Sequence, residues 1–145
     1  RYPGMARGLY RDEPAFRERM DRADACYRRF VGRSLIADLW DADGRAMAST
    51  AVAQPALFAV QVALAQTLID RGVRPHCVAG HSVGEFAAAC IAGMFDIETG
   101  LRLLVERGSE MADTREGRMV AVDASESRIS GWLDAFSGDL AVAAR

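Results

Sequence analysis

The stretch at residues 78–93, VAGHSVGEFAAACIAG, constrains this chain more than any other part of it. Cys77-Val78-Ala79-Gly80-His81 is a short run without alternation, which predicts a central parallel strand covered on both faces. Residues 83–92 are small and apolar, and predict a helix whose alanines 87–89 let it lie close to its neighbours. Between the two stands Gly80-His81-Ser82-Val83-Gly84. A strand turning into a helix through G-x-S-x-G puts its serine on a sharp, strained turn. Glycines two residues to either side let strand and helix pack closely around it. The Ser82 hydroxyl then stands at a helix N-terminus, and the Val83 N–H points to where an oxyanion would develop. The five-residue pattern is weak in a chain rich in Ala and Gly. Its strand–turn–helix setting makes Ser82 the candidate nucleophile.

A nucleophilic serine needs a base within hydrogen-bond reach. The chain has two histidines. His81 adjoins the serine, but consecutive strand side chains point to opposite faces, so its imidazole should leave the site. It reads as a packed, hydrogen-bonded histidine that shapes the elbow. His76 is six residues before Ser82, about 20 Å away along a strand. Neither can serve, and the base is expected outside these residues.

The rest of the chain reads as an alternation of helices and strands. Residues 14–30 carry Phe16, Met20, Ala23, Tyr27 and Phe30 on one stripe, with Arg and Asp on the other face. Residues 40–44 form an Asp-rich turn ending in Gly44. Gln54-Pro55 should open a helix over residues 55–71 that is apolar nearly all round and closed by Gly72. Asp96 caps another, over residues 97–114. From Met119 the texture changes to strand (119–122), helix (125–136), strand (140–144). The class is α/β, with a change of subdomain near Gly117.

Composition excludes several functions. A net charge of −2 over 145 residues leaves no basic footprint for nucleic acid or a membrane surface. No apolar run approaches the roughly 20 residues of a membrane span, and no signal segment is visible. Cys26, Cys77 and Cys90 have neither metal nor redox spacing, so no metal site is expected. Cys77 and Cys90 lie in apolar runs and read as buried free thiols of a reducing cytoplasm. All 18 basic side chains are Arg, a usage associated with GC-rich bacterial genomes. Both ends read as cut from something longer.

On the helix after the elbow, Leu101, Leu104, Val105, Gly108 and Ala112 form the apolar face, with Met111 beside it. Arg107 falls at the edge of that face, while Arg102, Glu106 and Glu110 project away. A half-buried guanidinium there could grip a carboxylate through two parallel hydrogen bonds. By geometry alone, a boundary arginine that snorkels and pairs with a surface acid is the better reading.

Tyr2-Pro3-Gly4-Met5, Gln54-Pro55-Ala56-Leu57-Phe58, Gly80-His81-Ser82-Val83-Gly84-Glu85 and Glu106-Arg107-Gly108 resemble, in order and spacing, the acyltransferase domains of polyketide and fatty-acid synthases and the malonyl-CoA:acyl-carrier-protein transacylases. The resemblance runs along essentially the whole chain. It implies an α/β-hydrolase-like large subdomain, present in part over residues 1–118. The opening βαβ of an inserted ferredoxin-like small subdomain would follow over 119–145. It further implies that Ser82 takes an acyl group from coenzyme A as an ester. The group then passes to the phosphopantetheine thiol of an acyl carrier protein. The resemblance also implies no bound cofactor, acyl-CoA as the donor substrate, and a ketosynthase and other synthase domains as neighbours.

Carried over residue by residue, the resemblance assigns one oxyanion donor to the Val83 N–H and the elbow's structure to Gly80, His81 and Gly84. It assigns the free carboxylate of a malonyl-type unit to Arg107, and a place near the active site to Gln54. Gln54 reads equally well as a helix-start residue. Val83, where methylmalonyl-selecting domains often carry Gln, leans towards malonyl. The family's catalytic histidine falls beyond Arg145, and its glutamine-bearing oxyanion loop falls before Tyr2, so these residues alone should turn over little substrate. Two other classes compete: a serine hydrolase sharing the elbow, and a degenerate acyltransferase kept as scaffold.

Overall fold

Apolar residues on every face force one helix into the centre of the others. The computed structural model describes residues 2, 4–112, 114, 117, 119–136 and 138–143. Its helices are α1 (Arg7–Asp12), α2 (Pro14–Val31), α3 (Leu35–Leu39), α4 (Thr50–Asp70), α5 (Val83–Ile91), α6 (Ile97–Ala112) and α7 (Glu126–Ala135), with a 3₁₀ turn at Ala46–Ala48. The chain separates into two compact units, Arg1–Thr114 and Arg115–Arg145.

In the first unit α4 is the hub, packing against α2, α3, α5 and α6. Ala56, Phe58, Ala59, Val62 and Ala63 are completely buried on it. It starts five residues earlier than its Gln54-Pro55 sequence suggests, so Pro55 lies inside the helix and Gln54 is not its cap. Pro55 has no N–H to give the Ala51 carbonyl one turn back, a cost that burial of the ring helps offset. By length and composition α4 could cross a membrane, contrary to the expectation that no run approaches that size. Most of it is buried against other helices, as a core helix requires.

Gly72 ends α4 with φ 94°, and the Val73 and Gly72 N–H groups bond the carbonyls of Leu68 and Ile69. Gly93 ends α5 in the same way. Asp96 caps α6 through the Thr99 N–H at 2.8 Å, and this bond holds its carboxyl below the usual range.

The stripe on α2 buries Phe16, Met20, Ala23 and Tyr27, but Phe30 is 37% exposed at the frayed end. Asp24, expected on the polar face, is 7% exposed. Its carboxylate accepts from Arg28 Nε at 2.6 Å, Ser34 Oγ at 2.8 Å and the Ile36 N–H at 3.1 Å, and so ties α2 to the start of α3. Cys90 is buried, and burial pushes its thiol up; Cys77 is exposed, against expectation, and Cys26 half-buried.

No described residue is in a strand, so neither the elbow strand nor the two strands of the second unit is formed. Residues 73–80 form no regular element, bend at His76 and are exposed throughout. A strand is defined by hydrogen bonds to a neighbour, and this segment has none beside it to pair with. In the second unit the helix forms within a residue of its expected bounds, as α7 behind Ser125. Residues 119–122 and 140–143 flank it without a ladder; Ala144 and the expected boundary residue Arg118 lie outside the described residues.

Candidate active site

The elbow takes its shape from one residue pair at van der Waals limits. A Cβ on Gly80 would sit 2.1 Å from the backbone C and O of Gly84 and 2.4 Å from the Glu85 nitrogen. The segment at 73–80 therefore runs directly against the first turn of α5, where only glycine fits. Gly84, expected to share that role, has nothing within 4 Å of its Cβ position. The tight approach is one-sided.

Ser82 occupies the cap position of α5 with φ 54° and ψ −121°. Among the described residues only one other non-glycine, Ala6, has positive φ. Such a backbone costs of the order of 1–3 kcal/mol and persists only where its surroundings impose it. Here the imposing bonds are Gly84 N–H to His81 O and Glu85 N–H to Ser82 O, both 3.0 Å. The Val83 N–H, first in the helix, is one of the donors an α-helix leaves unused. With Glu85 exposed in the first turn, the positive end of α5 faces the Ser82 hydroxyl. Strain, exposure and an unused donor converge on one oxygen.

His81 corrects the expectation of a packed, hydrogen-bonded imidazole. It is exposed, and only its backbone carbonyl takes part in the turn. Its side chain borders a groove of about 490 Å³ beside the elbow, walled by Leu68, Val78, Ala88 and Ile91. His76 is also exposed. No described side chain hydrogen-bonds the Ser82 hydroxyl.

On α6, Leu101, Leu104 and Gly108 are buried, Val105 is half-buried and Ala112 is exposed near the helix end. Two glycines bring α6 down onto α4. A Cβ on Gly100 would meet Phe58 Cζ at 2.3 Å, and one on Gly108 would meet Ala51 Cα at 2.6 Å. That closeness lets Arg107, next to Gly108, reach Gln54, one turn beyond Ala51. Arg107 Nη1 donates to Gln54 Oε1, and the Arg107 Cζ stands 5.9 Å from the centre of the Phe86 ring. Gln54 is 7% exposed and donates its Nε2 to Met111 Sδ at 3.2 Å.

The two residues expected to bind substrate are thus brought together, and Arg107 takes an amide partner rather than a surface acid. Phe86 and Met111 are participants that the sequence reading did not assign. Each had a signal, being four residues (one helical turn) beyond Ser82 and Arg107 respectively. Because Phe86 lies one turn into α5, the guanidinium on its ring sits close to the elbow. Among the described residues, a strained serine stands at the N-terminus of α5, and an arginine partnered by an amide and the Phe86 ring lies across the next turn, a pair suited to acyl chemistry on an anionic substrate.

Residues 2–144 match the family model of the acyl transferase domain, and the chain belongs to that family. It is part of an acyl transferase domain of the kind found in polyketide synthases. It is 44% identical to the polyketide biosynthesis protein ThaF of Burkholderia thailandensis over 94% of its length, which is 12% of that protein's. Among solved structures, it is similar to the acyltransferase domain from the second module of the salinomycin polyketide synthase (TM-score 0.81, 36% identity, 95% of this chain and 32% of that one). It is also similar to the loading acyltransferase of the avermectin modular polyketide synthase (TM-score 0.86, 30% identity, 96% of this chain and 44% of that one). The chain therefore spans less than half of the length of each of these relatives.

Proposed function

We propose that this chain is the elbow-and-arginine part of an acyltransferase that loads a malonyl-type unit in a multidomain polyketide synthase of the cytoplasm. Ser82 Oγ attacks the thioester carbonyl of the acyl-CoA, and the Val83 N–H and the positive end of α5 hold the oxyanion. The C–S bond then breaks, coenzyme A leaves as its thiol, and the acyl group stays on Ser82 as an ester. The phosphopantetheine thiol of an acyl carrier protein attacks that ester in turn and frees the serine. Both proton transfers need a base from chain beyond these residues, as does the second oxyanion donor. The isolated 145 residues should therefore turn over little.

Arg107 takes the free carboxylate of the unit. An acyl group without a carboxylate leaves that guanidinium unpaired, which is the physical basis for discriminating against it. One observation carries the reading: among the described residues Arg107, whose guanidinium carbon is 5.9 Å from the Phe86 ring one turn from Ser82, takes a neutral amide and no acid as its hydrogen-bond partner. A simple esterase has no use for that arrangement. The aliphatic Val83 favours malonyl among the carboxylated units. The segment at 73–80 and the groove beside it suit a sheet built with strands from elsewhere in the domain.

The test is intact-mass measurement of the full-length protein carrying this chain after brief exposure to malonyl-CoA. The wild type should gain one malonyl group and the Ser82→Ala variant none. Arg107→Ala should lose the preference for malonyl over acetyl donors. Absence of the adduct would favour a scaffold, and hydrolysis of simple esters unaffected by Arg107→Ala would favour a hydrolase.

A further inference from the structure

A glutamine beside an arginine can present either end of its amide, and only the oxygen attracts a guanidinium. Something must therefore decide which way Gln54 faces. Its oxygen meets Arg107 Nη1, and its Nε2 lies 3.2 Å from Met111 Sδ. Arg107 and Met111 are one turn apart on α6, so a single helix presents a donor and an acceptor to the two ends of one amide. A thioether sulfur accepts but cannot donate, so it takes only the NH₂ end. Gln54 is nearly buried on α4, whereas Met111 is 44% exposed at the rim of the contact.

We infer that Met111 is a positioning residue for the carboxylate-binding arginine. Its sulfur fixes the Gln54 amide, so that Gln54 holds Arg107 by a neutral acceptor and leaves the positive charge for a substrate. The inference rests on the malonyl-type reading above and adds to it a reason why the residue at 54 is an amide. A carboxylate at that position would neutralise Arg107 from within and compete with the substrate's own. Gln54 takes one Nη1 hydrogen, and the Phe86 ring centre stands 5.9 Å from the guanidinium carbon. Of its five N–H donors, enough remain for a bidentate carboxylate.

The experiment measures kcat/KM for acylation of the full-length protein with malonyl-CoA and with acetyl-CoA. Met111→Leu keeps the volume and removes the acceptor. The malonyl-to-acetyl ratio should fall about fivefold, the worth of one hydrogen bond, through KM for malonyl-CoA. Met111→Gln, which restores an acceptor, should retain the ratio to within about twofold. Gln54→Glu should collapse the preference by about a hundredfold, as an internal ion pair replaces the external one. The inference is overturned if Met111→Leu keeps the ratio, if both donors fall together, if Met111→Gln behaves as Met111→Leu, or if Gln54→Glu retains the preference. A wild type that takes malonyl and acetyl equally would instead overturn the carboxylate reading, and this inference with it.

Discussion

Ser82 has two unlike sides. Towards the chain's C-terminus, α5 and α6 pack on α4, and α6 lies so close that a Cβ on Gly108 would meet the Ala51 backbone at 2.6 Å. Towards the N-terminus, residues 71–82 are exposed without exception, and the segment at 73–80 has no ladder partner. The difference lies in where each side finds its hydrogen bonds. A helix satisfies its backbone from within and needs neighbours only for its apolar face, which α4 supplies locally. A central strand must borrow from other strands, and these come from elsewhere in the sequence. Yet the elbow is fully shaped. The bend at Ser82 depends on contact with the first turn of α5 rather than on a completed sheet.

Gly80 is the one residue where both sides meet, and substitution there should give the largest effect. Gly80→Ala forces a methyl group into the Gly84 backbone, which cannot yield as a flexible side chain would. In the full-length protein, Ser82 acylation should fall by about a hundredfold or more, the cost of displacing a reacting atom by about 1 Å. Gly84→Ala, with open space at its Cβ position, should stay within about threefold. Rates of acyl-ester formation by stopped-flow quench distinguish the two. Equal losses would mean that the elbow is shaped from both sides.

A smaller effect tests the helical side away from the serine. Burial pushes the Asp24 carboxyl up, but the Arg28 guanidinium, the Ile36 N–H and the Ser34 hydroxyl together hold it below the ordinary value. A group whose folded value is depressed stabilises the fold above its unfolded pKa, and loses that contribution as pH falls through the folded value. Asp24→Asn should therefore weaken the α2–α3 junction by about 1–3 kcal/mol at neutral pH, read as faster hydrogen exchange at Ile36. The gap between variant and wild type should close as pH falls below the ordinary carboxylate range of about 3.9. A gap that persists in acid would show that packing, not charge, holds the junction.

The helices were legible because their signals are local. The α2 stripe, Gly72 after α4, Asp96 before α6 and Ser125 before α7 each act within a turn or two of their position. Pro55 misled because its burial against the core outweighs the break it would impose in an isolated helix. The strands failed for the opposite reason, since apolarity marks a segment suited to a sheet without providing the sheet. At the site, Ser82 could be read from a contiguous motif, whereas the meeting of Arg107 with Gln54 spans 53 residues. The burial of Asp24 was hidden because its partners at Ser34 and Ile36 belong to a helix only five residues long, too short for periodicity to mark.

The smallest effect lies at Phe86, which joins the elbow to the arginine. Its ring is attached one turn from Ser82 and stands 5.9 Å from the Arg107 guanidinium carbon, at the outer limit of a cation–π contact. At a partly exposed site such a contact contributes about 0.5–1 kcal/mol. Phe86→Leu, which keeps the apolar bulk and removes the π face, should therefore lower the malonyl-to-acetyl ratio by about two- to fivefold. Phe86→Tyr, which keeps the face, should leave the ratio unchanged. Because Gln54 grips the same guanidinium from α4, the loss in Phe86→Leu should deepen when Met111 is also replaced by Leu. An effect in the double variant no larger than the product of the singles would mean that amide and ring act on Arg107 independently. In that case the elbow and the arginine share a core without being aligned by it.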